Sequence, residues 1–146
     1  MKKSLVSDDK IQKMFGVSLE IGFGFKYDMV KDNFIWLRKE FSSGYNSILI
    51  YEVPIEKVEK DNNIIANIIT MRDEIGKANI HGTLQNTWMI TEAAYAPYLF
   101  DVTVAGKKTY LTKGTWELKN DFMAGPFVNY AIKDTKNNRY LILEGF

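Results

Sequence analysis

Large apolar side chains recur at every second position along much of this chain, and that spacing most limits the folds open to it. Successive side chains on a strand point to opposite faces, so a period of two marks a half-buried strand. Val17, Leu19 and Ile21 alternate with Ser18 and Glu20. In residues 34–41, FIWLRKEF, Phe34 and Trp36 share one face while Ile35 and Leu37 share the other. Residues 48–53 are apolar throughout except at Glu52, the pattern of a central strand covered on both sides, and Pro54 ends it. Further strands are predicted at about 87–92, 99–105, 108–118, 126–133 and 139–145. Asp32-Asn33, Ser42-Ser43-Gly44, Ala105-Gly106-Lys107 and Thr135-Lys136-Asn137-Asn138 supply the turns between strands.

The period shifts to that of a helix in two places. Residues 7–15 predict a short helix with Ser7 or Asp8 as its cap, Ile11, Met14 and Phe15 on one side and Gly16 after it. The stripe Ile64, Ile68, Met71 and Ile75 predicts one long helix at about 61–75. Asp61 or Asn62 would cap it, Asn63, Asn67, Thr70, Asp73 and Glu74 would take its wet side, and Gly76 would stop it. Isoleucine is a weak helix former, so burial of the stripe must hold this element. Strands before and after a long helix, with no alternation of strand and helix, predict an α+β domain: a mainly antiparallel sheet packed against the long helix, plus the short N-terminal one.

The 146 residues fit a single domain spanning 1–146. Nineteen basic and eighteen acidic residues are interspersed, so nothing concentrates charge for nucleic acid. Met1-Lys2-Lys3 is too small to be a basic arm. The chain holds no cysteine, which removes disulfides, thiolate nucleophiles and sulfur-ligated metals. No window approaches the roughly 20 apolar residues of a membrane span, and Leu5-Val6 runs directly into polar residues where a secretory signal would need an apolar stretch.

Candidate chemistry is sparse. His81, the one histidine, falls in a loop after the long helix and is better read as solvated than as a base or ligand. Gly22-Phe23-Gly24 fails the dinucleotide pattern, since Tyr27 stands where a third glycine belongs. No Gly-x-Ser-x-Gly elbow occurs. Glu40, Glu52, Asp101, Glu117 and Asp121 lie on or beside strands, and a glycosidase needs only two converging carboxyls. No metal, cofactor or catalytic residue is assigned.

Residues 116–127, WELKNDFMAGPF, carry the strongest hint of a surface. Trp116 ends a strand, Asn120 and Asp121 favour a turn, and Phe122 and Met123 are large apolar residues within it. Tucking them under the sheet edge is the favoured reading, because exposed apolar patches are costly. A second aromatic loop contains Tyr95 and Tyr98. If the two loops meet, Tyr95, Tyr98, Trp116, Asp121, Phe122 and Met123 form a candidate ligand or partner surface for an envelope protein, a peptide or a glycan.

The segments NFIWLRKEF (33–41), SILIYEVP (47–54) and GTWELKNDFMAGPFVNYAIKD (114–134) resemble a family of Bacteroidetes cell-envelope lipoproteins known as a domain of unknown function. KMFGVSLEI (13–21) and NNRYLILEGF (137–146) extend the resemblance over most of the chain. It implies the C-terminal part of a longer, exported, lipid-anchored protein whose members continue into a further helical stretch. It brings no activity, cofactor or site residue. A looser, fold-level similarity is to the PsbP/Mog1-like proteins, which have an antiparallel sheet flanked by helices and an early strand-turn-strand unit like residues 17–40. The expected function is a non-enzymatic binding or assembly module. The alternatives are a glycan-acting enzyme with paired carboxylates and a structural half of a larger lipoprotein, the latter signalled by an exposed apolar sheet face.

Overall fold

A computed structural model describes residues 5–146; Met1-Lys2-Lys3 lies outside them. Seven of the predicted strands and one that was not predicted, β1, pair into one antiparallel sheet of β1 (Lys26–Lys31), β2 (Phe34–Phe41), β3 (Gly44–Pro54), β4 (Trp88–Thr91), β5 (Tyr98–Val104), β6 (Lys107–Lys119), β7 (Ala124–Asp134) and β8 (Arg139–Gly145). The order is β1-β2-β3-β8-β7-β6-β4, and β5 pairs with the remaining length of the β6 edge that β4 occupies. Positive φ at Asn33, Ala105, Gly106 and Asn138 closes three of the hairpins where turn residues predicted them. Helices α1 (Asp9–Phe15), α2 (Ile55–Glu59) and α3 (Ile64–Asn79) complete the α+β fold.

The continuous apolar run of β3 does what its composition predicts. Leu49 and Tyr51 enter one core with Ile68 and Met71 of α3, while Ile50 enters a second core with Ile11 and Phe15 of α1. At the far end of β3, Glu52 accepts a 2.7 Å hydrogen bond from Arg139, which also donates to Asp134 and to the Phe15 carbonyl at the end of α1. One guanidinium thereby ties α1 to three strands, β3, β7 and its own β8.

Four expectations need correction. Residues 17–21 do not form a strand; only Ile21 bridges, to Val6. The Leu19 N–H donates instead to Asp8 Oδ2 at 2.8 Å, and the Tyr27 hydroxyl donates to the Ser7 carbonyl at 2.6 Å. The segment is therefore pinned to the start of α1, and the first hairpin is 26–41. Helix is also divided among three elements, and the longest runs Ile64–Asn79, capped by Asn63, whose side chain accepts from the Ala66 N–H. Asn67 is not on a wet face: it is buried and donates to the Val58 carbonyl and Asp61. Finally, Gly76 does not stop α3. The helix runs through it because β4 crosses so closely that an added Cβ would lie 2.1 Å from the Met89 carbonyl oxygen.

Arg72, at helical spacing from Ile68, enters the core with the stripe. It is 1% exposed, and its Nε and Nη2 donate to the Glu144 carboxylate of β8 at 2.6 and 2.9 Å. Its Nη1 donates to Thr91 Oγ1, and its guanidinium stacks on Phe127, 3.4 Å from the ring centroid. Burial works against the charge, but the Glu144 carboxylate outweighs it and holds the guanidinium protonated. Asn129 donates to the same carboxylate at 2.8 Å, and Asp73 accepts from both the N–H and the hydroxyl of Thr91.

Two outcomes test this packing. Alanine at an open helical site is favoured over glycine by about 1 kcal/mol. Gly76→Ala is instead expected to cost about 2 kcal/mol through the clash with β4, read as a lower urea midpoint at unchanged slope. Arg72→Met alone is expected to cost about 3–5 kcal/mol because it strands a buried carboxylate, whereas Arg72→Met with Glu144→Leu recovers most of that loss. A double-mutant cycle by chemical denaturation measures the difference.

Candidate functional site

On the α3 face, at the end of the sheet beyond the helix, the chain encloses a cleft of about 380 Å3. That is the size of small-ligand sites. Its walls are aromatic because three sheet segments bring large rings to the same face. Trp36 comes from β2, Tyr45 from the start of β3, and Trp116 from β6; Phe146 closes the wall after β8.

Each ring is held. The Trp36 indole N–H donates to Ser47 Oγ at 3.1 Å. Trp116 meets Phe146 edge-on with centroids 5.9 Å apart, and its indole lies over Gly125, where an added Cβ would come within 2.9 Å of Nε1. Phe146 is fixed through its backbone, which exchanges hydrogen bonds of 2.7 and 3.0 Å with Ser47. The Arg38 guanidinium lies 5.2 Å from the Trp36 centroid and 4.5 Å from that of Tyr45, while also reaching Asp28 at 3.2 Å. Ring faces and one cation therefore line a largely apolar cleft.

The rim is built from turns. Asn120 adopts a left-handed φ of 68° and donates through Nδ2 to the Asn86 carbonyl at 2.8 Å, clasping the β6–β7 turn to the loop before β4. Asp121 Oδ1 accepts from the Phe122 N–H at 2.7 Å. His81 also lines the cleft, with Nε2 2.7 Å from the Lys77 carbonyl at the end of α3. A carbonyl only accepts, so Nε2 is the donor in this contact.

Of the residues singled out by sequence, Trp116, Asp121 and Met123 line this cleft. Phe122 does not tuck under the sheet edge as expected; the tight turn turns it outward, and it is fully exposed beside the rim. Tyr95 and Tyr98 are also exposed and lie outside the cleft. Tyr98 pairs with Lys113, three residues from Trp116 on β6, so the pleat sends it to the opposite face. Trp36, Tyr45, Arg38 and Phe146 escaped sequence reasoning. Trp36 was legible as facing with Phe34, but which strands lie beside it depends on pairing.

The model of a family described as Domain of unknown function (DUF4837) matches residues 4–146. The chain belongs to the DUF4837 family. No curated protein and no solved structure matches it.

The carboxylates of this DUF4837 domain are placed apart from the cleft, with one exception. Asp121 is the one acidic residue among those lining it. Glu52 is bonded to Arg139. Glu117 meets a partner that sequence reasoning did not consider, Glu92, across the β4–β6 edge. A hydrogen bond between the two carboxyls raises Glu117 above its usual value, while the same bond and the Ala94 N–H lower Glu92. The two carboxyls lie side by side and influence each other's titration; they do not face each other across a binding groove. Among the described residues no group of three or more His, Asp and Glu is placed to hold a metal ion, and no helix is long and apolar enough to cross a membrane.

The raised Glu117 carboxyl gives a pH dependence. A carboxyl raised in the folded state contributes stability below its usual value of 4.5, and that contribution is lost as pH rises through the raised value. Glu117→Gln keeps a hydrogen-bond donor at every pH. Its melting temperature relative to wild type is expected to climb as pH rises above the usual glutamate range, measured by calorimetry across pH.

Proposed function

We propose that this domain is a non-enzymatic binding module of the bacterial cell envelope and that it takes its ligand into the aromatic cleft. The observation that carries the reading is the convergence of Trp36, Tyr45, Trp116 and Phe146 on one small-ligand-sized space with Arg38, His81 and Asp121 around it. Ring faces accept the apolar face of a sugar or an apolar peptide side chain, and the polar groups orient its hydroxyls or amides. Fully exposed Phe122 and the exposed Met123 beside the rim suit contact with a larger ligand or protein that carries the bound group. The carboxylates do not favour glycan hydrolysis, since Asp121 lines the cleft without an acidic partner there.

Envelope placement, a longer lipid-anchored parent protein and a PsbP/Mog1-like architecture complete the proposal. They are supported by the family resemblance of the tryptophan and Gly-Pro segments and by the antiparallel sheet flanked by helices. The module would then present its cleft to peptides or glycans of the envelope.

Trp36 and Trp116 make the cleft self-reporting. Titration with a panel of envelope oligosaccharides and apolar peptides is expected to change tryptophan emission saturably for at least one class. Trp116→Ala should weaken that binding at least tenfold with the fold intact by circular dichroism. Binding indifferent to both Trp116→Ala and Tyr45→Ala, or turnover of the ligand abolished by His81→Ala, would overturn the proposal.

A further inference from the structure

The sheet has two kinds of edge. The β1 edge is guarded. Its register with β2 breaks between Tyr27 and Met29, and it carries Lys26, Asp28 and Lys31. Its surroundings are also occupied, since Lys10 sits over the Tyr27 ring and Lys31 donates to Asn79. Bulges and edge charges are how sheets avoid pairing with other chains.

The β5 edge has no bulge and a single charge, Asp101. All seven of its residues, YLFDVTV, pair in unbroken register with β6. It contains no lysine or proline, and β6 is the strand it pairs with. Alternate N–H and C=O groups of β5 therefore point away from the sheet, and none is taken up by a hydrogen bond elsewhere among the described residues. Tyr98 and Phe100 on one face are 71% and 46% exposed. Leu99, Asp101 and Thr103 occupy the other face. An open, regular and partly aromatic strand of this length is a template for strand addition.

We propose that β5 is a docking edge for an extended segment of another protein, which adds antiparallel to it. Such a segment carries β-branched or aromatic residues on the face of Tyr98, Phe100, Val102 and Val104, and a basic residue opposite Asp101. The acid selects against a second copy of this chain. A symmetric pair of β5 strands using the full length must run antiparallel about Asp101, which sets the two carboxylates against each other. Lys108 on β6 lies within electrostatic reach of Asp101, and among the described residues no ion pair engages Asp101, so the carboxylate remains available. This docking edge is separate from the aromatic cleft, and its test is independent of any ligand there.

The probe is a capped, fluorescent heptapeptide of sequence VTVKVTV, with a counterpart in which glutamate replaces lysine. Wild-type protein is expected to bind the first saturably, and the second roughly fivefold more weakly. Amides of residues 98–104 should gain protection from hydrogen exchange on binding while those of 26–31 do not. Asp101→Lys, at an exposed position, should reverse the peptide preference. The proposal is overturned if neither peptide protects β5, or if the preference is unchanged by Asp101→Lys. It is equally overturned if light scattering shows a wild-type dimer that Val102→Lys dissolves, because the occupant is then a second copy.

Discussion

Arg72 and Glu144 are far apart in sequence and in bonded contact at the centre of the fold. The pair fixes which way α3 lies on the sheet. A helix held by apolar burial alone can slide or rotate with small loss, because the hydrophobic effect has no direction. Two parallel N–H···O bonds have direction, and with one carboxylate buried there is one rotation and one depth at which the guanidinium is satisfied. Thr91, Asp73 and Asn129 extend the network, so β4, β7 and β8 are set in the same act. The buried pair serves specificity more than net stability, since the attraction is offset by the cost of removing both charges from water.

The position of α3 determines the cleft. With the helix fixed, its close crossing at Gly76 brings β4 against it and leaves the chain after Asn79 to pass along the end of the sheet. His81 reaches back to the Lys77 carbonyl there, and the loop before β4 is clasped by Asn120. The helix covers one part of its face of the sheet and stops short of the rest. The uncovered end keeps its aromatic residues, which is why the cleft is walled by rings from β2, β3 and β6.

Much of the architecture was legible before any coordinates. The apolar run of residues 48–53 marked a strand covered on both sides, and β3 lies between two cores. Turn residues marked the hairpins at Asn33, Gly106 and Asn138. Where the reading departed, a specific interaction had overridden the local pattern. Residues 17–21 alternate like a strand, but the Asp8 carboxylate takes the Leu19 amide. Gly76 has the composition of a helix end and is instead a site of close approach. Glu144 interrupts the row Tyr140, Ile142, Phe146, a pattern that marks a buried charge in need of a partner; no local pattern could say that the partner was Arg72.

Sequence by itself determined most of the elements: the strands from Phe34 onward, where the chain turns between them, and that no cysteine chemistry is possible. These follow from side-chain shape and period, which act between near neighbours. Only the tertiary structure decided that Trp36, Tyr45, Trp116 and Phe146 share one space, that Tyr98 faces away from it, and that β5 is left open while β1 is guarded. Those facts depend on strand order and register, and a shift of one residue in register would send every side chain to the opposite face.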